Sequence, residues 1–343
     1  MARAPTSNRI QRCVKPPRSG QGRRLTEMAG RILFCATEDW FIKSHFMGLI
    51  EAAHMQGFRP LVAARFGSAK EDLRAAGAEL CELSSLGRGL SPFKLMREVS
   101  ELSHLIARER PTIIHAIALK PAFLIALARV PAHVHVIYAV TGLGHLGTER
   151  TLITLAMRGA ALALLAFSAR KRAATIVVEN THDARKFRKR GVDNGRITIL
   201  PGAGVDPTRY SYAEPPLAPP LHLGLAARLV RSKGVDLAVE AVKILLARGL
   251  NVTLDIAGEI DRDNPASHTE SDIARWNEIP GVRCHGWVSD MNTFWATKHV
   301  ALAPSRGGEG LPRSMLEAAA AGRPLITTST PGVATSSFRV RPV

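Results

Sequence analysis

Short apolar runs alternate with segments of helical periodicity over the first two hundred residues. The runs have the length of buried strands and lie at 31–36, 112–116, 134–140, 175–179 and 197–201. Helical patterns follow three of them, at 49–56, 122–129 and 149–173. Strands and helices in alternation predict a parallel sheet covered by helices on both faces.

The alternation stops at 206–220 and then restarts. This segment holds five prolines and no periodicity, which is typical of a linker between domains. Beyond it, strands are predicted at 221–225, 253–257, 282–286, 300–303 and 325–328. A helix from Val235 carries apolar residues at Leu237, Ala241, Ile244 and Leu245 and ends before Gly249, and another helix begins at Pro312.

The sequence therefore predicts an α/β fold with two parallel-sheet domains that face a cleft. The N-terminal domain is expected at 30–205, the linker at 206–220 and the C-terminal domain at 221–332, after a basic disordered arm at 1–29. Ligands of parallel sheets bind beyond the carboxyl ends of the strands, so the residues that follow each strand are the candidates for function.

The charge of the chain is unevenly distributed. The net charge is +17, and residues 1–26 hold seven basic and no acidic residues, whereas 167–190 hold eight basic and two acidic ones. Residues 221–332 hold twelve of each sign. Clustered positive charge indicates an anionic partner such as a membrane surface, although it also fits mere solubility or loose binding of polyanions.

The sequence contains few features that indicate a cellular compartment. The four cysteines, at 13, 35, 81 and 284, show no disulfide or metal spacing, as expected in a reduced cytosolic compartment. The basic N-terminus lacks the apolar core of a signal peptide; it resembles a transit segment, but a disordered arm or a misassigned start is the preferred interpretation. The apolar stretch 151–169 is interrupted by Arg158 and Ser168 and is expected to fall short of a membrane span, so we predict a buried or membrane-surface helix.

The most informative segment is Ala303 to Gly322, where a predicted strand enters a glycine-rich turn and then a helix. Glycines let a backbone approach a ligand closely, and free N–H groups at a helix N-terminus bind phosphate. Glu309 in the turn and Glu317 in the helix are placed to meet the two ends of a long ligand such as a sugar nucleotide. A plain surface turn followed by a solvated helical glutamate is the alternative.

A second loop, 226–234, follows the first strand of the C-terminal domain. Arg228 and Lys233 could neutralise a diphosphate there, Arg through paired hydrogen bonds and Lys as a point charge. Lone basic residues in a loop are usually solvated, but this loop and the Glu309 turn both leave strand ends of one predicted sheet.

Other patterns point to function more weakly. Residues 142–147 form a literal GxGxxG, but no acidic residue follows at the distance that holds a ribose. Asp261 and Asp263 form a DxD that fits a solvated loop better than a cation site. The sequence lacks a Walker loop, a GxSxG elbow and an HExxH motif, which argues against P-loop NTPases, α/β-hydrolases and zincins.

Taken together, these residues resemble the family 4 (group 1) glycosyltransferases of the GT-B fold, especially bacterial enzymes of capsular, O-antigen and exopolysaccharide synthesis. Glu309 and Glu317 match the family's E-x7-E motif within SRGGEGLPRSMLEAAAAGRPLITTSTPG. Further similarity lies in WFIKSHFMGLIEAAHMQGF, RGLSP, HAIALKP, VTGLG, LPGAGVD and AARLVRSKG. The resemblance covers about Gly30 to Gly332 and implies two Rossmann-like domains.

The resemblance implies a role for each matching residue. On the donor side, Arg228, Lys233 and the amides of Gly310 and Leu311 would hold the donor diphosphate, and Glu317 would hold the ribose. Glu309 would orient the donor sugar and support the charge at its anomeric carbon. The remaining matches are His115, expected near the sugar, and His45, Thr141 and Gly142, expected on the acceptor side.

The resemblance also implies a reaction and its partners. A hexose or N-acetylhexosamine would pass from a nucleotide sugar, with UDP expected as the nucleotide, to a lipid-linked saccharide with retention of configuration and without a metal or other cofactor. The basic region 170–190 would dock on anionic lipid at the inner face of the plasma membrane. No specific nucleic-acid partner is expected.

The sequence also departs from the family. Phe46 stands where arginine is common, and Ala118 where a hydroxyl residue is common, so acceptor contacts are expected to differ. The resemblance ends after Gly332, and 333–343 is predicted to be an aberrant tail on an incomplete second domain. Two alternatives therefore stay open: an inactive remnant that binds membrane or polyanion, and a sugar-nucleotide epimerase of the same fold.

Overall fold

The structure, a computed structural model, describes residues 30–333 except 84, 88–90, 143–150, 207, 263 and 265. The predicted arm at 1–29, the tail beyond Val333, most of the GxGxxG pattern and Asp263 lie outside the described residues. Two parallel sheets form the framework, one on each side of the segment 206–220.

Within the described residues, the first sheet has seven parallel strands in the order β3-β2-β1-β4-β5-β6-β7. They are β1 Arg31–Glu38, β2 Arg59–Arg65, β3 Glu79–Glu82, β4 Ile113–Ile117, β5 His135–Val140, β6 Ala174–Val178 and β7 Ile197–Ile199. The chain builds outward from β1 in one direction and from β4 in the other. This reversal creates a crevice at the carboxyl ends of β1 and β4, where such sheets bind ligands.

Helices cover both faces of this sheet. They are α1 Asp39–Met55, α2 Lys70–Ala75, α3 Pro92–Glu109, α4 Leu119–Leu127, α5 Leu152–Lys171 and α6 Thr181–Arg188. One face packs on α3 to α6 through a cluster that includes Leu33 and Tyr138, and the other packs on α1 and α2 through a cluster that includes Phe34 and Ile42.

The second sheet, in the part of the chain described up to Val333, has five parallel strands in the order β10-β9-β8-β11-β12. They are β8 Leu221–Ala226, β9 Val252–Ala257, β10 Val282–Gly286, β11 Val300–Ala303 and β12 Leu325–Thr327, with helices α7 Val235–Ala247, α8 Glu270–Asn277, α9 Met291–Ala296 and α10 Arg313–Ala320. The predicted fold class, two parallel-sheet α/β domains, is confirmed.

The residues that bury α7 are not the predicted ones. Leu237 and Ile244 are 41% and 53% exposed, and the helix is buried instead through Val235, Ala238, Val239 and Val242. The helix carries two apolar stripes, and the one with small and β-branched residues fits against the sheet. The larger side chains remain on the solvent side.

The two halves of helix α5 differ in burial. By length and apolar composition it meets the threshold for a membrane-crossing helix, contrary to expectation, because Arg158 is its only charged residue before Arg170. Its second half packs into the domain core through residues such as Leu162 and Leu165, whereas Leu152 and Ile153 in its first half are 86% and 72% exposed.

The segment 206–220 and Val333 both pack on the C-terminal domain. A ring nitrogen of His299 lies 2.8 Å from the carbonyl oxygen of Pro216, and the Arg323 guanidinium donates to the carbonyl of Ala213. Val333 is buried with Leu311 and is part of the domain rather than of an aberrant tail.

Candidate active site

A cavity of about 640 Å³ lies between the two domains at the carboxyl ends of their strands. A cavity of this volume is large enough for a ligand such as a nucleotide sugar. The lining comes from the start of α1, from the residues after β5, β6 and β8, and from the loop between β11 and α10. Of the predicted site residues, eight line the described cavity: His45, Thr141, Gly142, Arg228, Lys233, Glu309, Gly310 and Leu311.

Glu309 and Lys233 form an ion pair in the cleft. The Lys233 ammonium lies 2.6 Å from Glu309 Oε2, and the Ser305 hydroxyl donates to Glu309 Oε1 at 2.9 Å. Both side chains are mostly shielded from solvent. The predicted diphosphate-binding cation and the predicted sugar-facing carboxylate therefore neutralise one another.

Arg228 is held by the first aspartate of the DxD pattern. Its guanidinium lies 2.5 Å from Asp261 Oδ2, and the carboxylate is nearly buried while the arginine is half exposed. Asp261 therefore positions a cation at the cleft. Within the described residues, no group of three or more His, Cys, Asp or Glu side chains is arranged to hold a metal ion.

His45 faces these cations from the N-terminal domain. Its ring is tilted by 33° to the ring of Phe41, with 4.4 Å between the centroids, and its Nδ1 lies 2.6 Å from the Ser44 hydroxyl. Burial lowers the pKa of His45 to about 4, and the positive charges of Arg313 and Lys233 contribute to this decrease. The imidazole is therefore neutral at physiological pH and can hydrogen-bond a sugar hydroxyl without repelling the cations.

His115 does not line the cleft. It is nearly buried in β4, and its ring lies 5.6 Å from the centroids of both Phe34 and Phe46. Burial lowers the pKa of His115 to about 4. Phe46 thus packs edge-on against this histidine.

Glu317 also lies outside the cavity lining. It is buried in α10, where Arg313 Nε lies 2.9 Å from its Oε1. The neighbouring Tyr210 belongs to the 206–220 segment, and burial together with the Glu317 carboxylate raises the pKa of Tyr210 to about 12. The structure therefore places Glu309 at the cleft and Glu317 one layer behind it.

Sequence reasoning missed several lining residues, among them Trp40, Glu179, Arg306 and Arg313. Arg306 binds both oxygens of Asp236 at 2.7 Å. Glu179 accepts a 2.6 Å hydrogen bond from the amide of Leu311 in the other domain. Its position directly after β6 was the available signal, because strand ends carry the ligand contacts of such sheets.

Chemically, the arrangement is an anion site beside a carboxylate. Lys233, Arg228 and the amides before α10 can hold negatively charged oxygens, and Glu309 can stabilise positive charge that develops nearby.

Two family models match the chain. The glycosyl transferase 4-like domain matches residues 42–203, and the glycosyl transferases group 1 model matches residues 220–337, slightly past Gly332 where the motif resemblance ends. A Staphylococcus aureus capsular polysaccharide biosynthesis glycosyltransferase, CapM, is 32% identical over 110 residues, which is 32% of this chain and 28% of that relative.

Solved structures of the same fold cover most of the chain. Anabaena HepE, in complex with UDP and glucose, matches with a TM-score of 0.67 at 18% identity and covers 91% of this chain and 84% of its own. WaaG, a glycosyltransferase involved in lipopolysaccharide biosynthesis, matches with a TM-score of 0.65 at 16% identity, over 89% of this chain and 83% of that one. With two domain models in the expected order and this fold, the chain belongs to the family 4 (group 1) glycosyltransferases of the GT-B fold.

Proposed function

We propose that the protein transfers a hexose or N-acetylhexosamine from a UDP-sugar to a lipid-linked saccharide during synthesis of a surface polysaccharide. The observation that carries the proposal is the convergence of Arg228, Lys233, Glu309 and the Gly310–Leu311 amides in one cleft. The similarity to a capsular glycosyltransferase and to a structure that contains UDP and glucose supports the choice of donor and pathway.

In this proposal the donor diphosphate lies against the loop before α10. Its oxygens accept hydrogen bonds from backbone amides and draw the Lys233 ammonium away from Glu309, which lies within 2.6 Å of it. Glu309 then faces the sugar. The bond from the anomeric carbon to phosphate breaks, the acceptor hydroxyl bonds the same face of that carbon, and its proton passes to the leaving phosphate oxygen.

Basic residues take the place of a cation at the leaving group, so the proposal includes no metal. We expect donor binding and turnover to be unchanged by a chelator.

Donor binding is tested by calorimetry with UDP and UDP-N-acetylglucosamine. The Arg228→Ala, Lys233→Ala double variant removes two charge-assisted bonds of about 1.5–3 kcal/mol each, so affinity should fall more than about 100-fold. The matched control is Lys243→Ala on α7 combined with Arg248→Ala directly after it; both residues are exposed, and this variant should bind like wild type. Equal affinity of the two double variants would refute the donor site.

Turnover distinguishes the open alternatives. Glu309→Gln should keep UDP binding and lose about 100-fold or more in transfer rate, because it removes a charge that acts on the transition state. An inactive remnant would show no transfer with the wild-type chain. Interconversion of UDP-sugars without an acceptor would indicate an epimerase.

The acceptor proposal rests on four exposed apolar residues, Phe93, Met96, Leu152 and Ile153, which we call the apolar rim. These residues lie in the first turns of α3 and α5, which both follow strands and therefore begin at the cleft edge of the sheet, and α4 packs against both helices. Burial lowers the pKa of His182 in α6, and the charge of Arg158 in α5 makes a smaller contribution to this decrease. The basic α6 packs against α5, which carries Leu152 and Ile153. Apolar side chains beside basic ones suit an anionic lipid surface.

We accordingly propose a peripheral location on the cytoplasmic face of the plasma membrane. Co-sedimentation with phosphatidylglycerol vesicles should fall at least several-fold in Leu152→Ser, Ile153→Ser, and should be unaffected in the control Leu237→Ser, Ile244→Ser on the exposed side of α7. Equal binding by both variants, or equal binding to uncharged phosphatidylcholine, would refute this docking surface.

A further inference from the structure

We infer that Glu179 competes with the donor diphosphate for the backbone amide of Leu311, so that donor binding requires this carboxylate to withdraw or to take up a proton. The inference rests on the proposed donor site. It adds a regulatory residue from the N-terminal domain to a site that the family motifs place in the C-terminal domain.

The position of Glu179 in the fold directs its side chain toward the loop between β11 and α10, which is the proposed donor loop. It follows the last residue of β6 and precedes Asn180, which caps α6 by accepting a 2.8 Å hydrogen bond from the Asp183 amide. The backbone on both sides of Glu179 is therefore fixed. Its Oε2 accepts the 2.6 Å hydrogen bond from Leu311, directly before Pro312 and α10.

The carboxylate and a phosphate cannot both occupy this position. A side-chain carbon added at Gly310 would overlap Glu179 Oε2 and would lie 3.0 Å from the Thr141 carbonyl oxygen. One added at Gly142 would lie 2.9 Å from the Gly310 amide nitrogen. The N-terminal domain thus closes directly on the amides that the diphosphate would use, and Glu179 supplies the anion there.

The charges around Glu179 make its protonation sensitive to a new anion. Burial raises the pKa of Glu179 to about 7, with further increases from Asp183 of α6 and from Glu309 of the facing loop. The Leu311 amide and Lys233 oppose this increase. A diphosphate beside Glu179 would favour the neutral acid, which no longer repels it and can donate a hydrogen bond to a phosphate oxygen.

The affinity for the donor should therefore depend on pH. Below about pH 7 Glu179 is mostly neutral and the donor meets little competition. Above that pH the carboxylate must leave or be protonated, so donor affinity should fall with rising pH, by at most about tenfold per pH unit for one proton. His45 does not contribute over this range, because its pKa is about 4.

The test is calorimetry of UDP-N-acetylglucosamine binding between pH 6.5 and 8.5, since the diphosphate of this ligand does not titrate there. Measurements in buffers of different ionisation enthalpy report the number of protons taken up. Wild type should take up a fraction of a proton near pH 7.5, and Glu179→Gln should take up none and bind with the same affinity at every pH. The control Glu240→Gln, on an exposed residue of α7, should behave like wild type.

Two results would overturn the inference. Donor binding by wild type without proton uptake, together with an unchanged affinity in Glu179→Gln, would refute it and leave the proposed function standing. Absence of nucleotide binding in both proteins would refute both. Since proton uptake is measured on the wild-type chain, the test does not depend on the folding of the variant.

Discussion

The buried pair Glu98–Lys120 offers a sharp test of how the N-terminal domain is held together beside the cleft. Glu98 in α3 is completely buried, and the Lys120 ammonium at the start of α4 lies 2.9 Å from its Oε1. The Gly87 amide donates to the same oxygen at 3.2 Å. Within the described part of the chain, Glu98 Oε2 has no hydrogen-bond partner. Lys120 is therefore the main compensation for a buried negative charge.

Lys120→Met keeps the aliphatic stem and removes the charge. Removing one member of a buried pair costs about 3–5 kcal/mol, which is a large share of the roughly 5–15 kcal/mol that stabilises a domain. Replacing both members, as in Lys120→Met, Glu98→Leu, should restore most of that loss, because no uncompensated charge remains.

The assay is urea unfolding at neutral pH followed by far-ultraviolet circular dichroism. Lys243→Met is the control, since its pair with Glu240 on α7 is exposed and should be worth less than about 1 kcal/mol. The reasoning is refuted if Lys120→Met lies within about 1 kcal/mol of wild type, or if the double variant is as unstable as the single one.

Two further predictions concern backbone strain and buried histidines. Gly234→Ala should destabilise the protein by more than about 2 kcal/mol in urea unfolding, because φ is +68° and the added carbon would overlap the Pro304 carbonyl; Gly249→Ala, with φ +79° and open space, should cost only about 1–2 kcal/mol. NMR titration should show His45 and His115 neutral at pH 6, since both have a pKa of about 4. Because these values lie below the unfolded value of about 6.5, stability should be lost as pH falls from about 6.5 toward 4, and replacing either residue by glutamine should flatten that slope.

Most of the strands and the donor loops could be predicted from sequence because their signals are local, although β2 and β3 were missed. A buried parallel strand is a short apolar run, and the loop at Gly307–Pro312 joins such a run to a helix within a few residues. The outward face of α7 could not be predicted in the same way. Both of its stripes are apolar, and only packing against the sheet selects Val235 and Val239 over Leu237.

The contacts of Glu309 and Glu317 also could not be predicted from the local sequence. Their spacing predicts that Glu309 and Glu317 lie on one loop–helix unit, and they do. It does not predict which neighbours they face, because Tyr210 reaches Glu317 from a distant segment and Lys233 reaches Glu309 from another strand end. Their roles therefore depend on contacts that a local motif does not encode.

Each domain contributes a carboxylate to the cleft, Glu179 from the N-terminal domain and Glu309 from the C-terminal domain. Glu179 was within reach of sequence reasoning, because it ends the predicted strand 175–179 at the functional edge of the sheet. Its partner Leu311 is 132 residues away, and nothing local to either residue indicates the contact. If donor binding displaces this carboxylate, the interdomain contact and the donor site are alternatives for the same amide. Domain closure and donor occupancy are then linked through a single hydrogen-bond donor, with the protonation of Glu179 setting the balance between them.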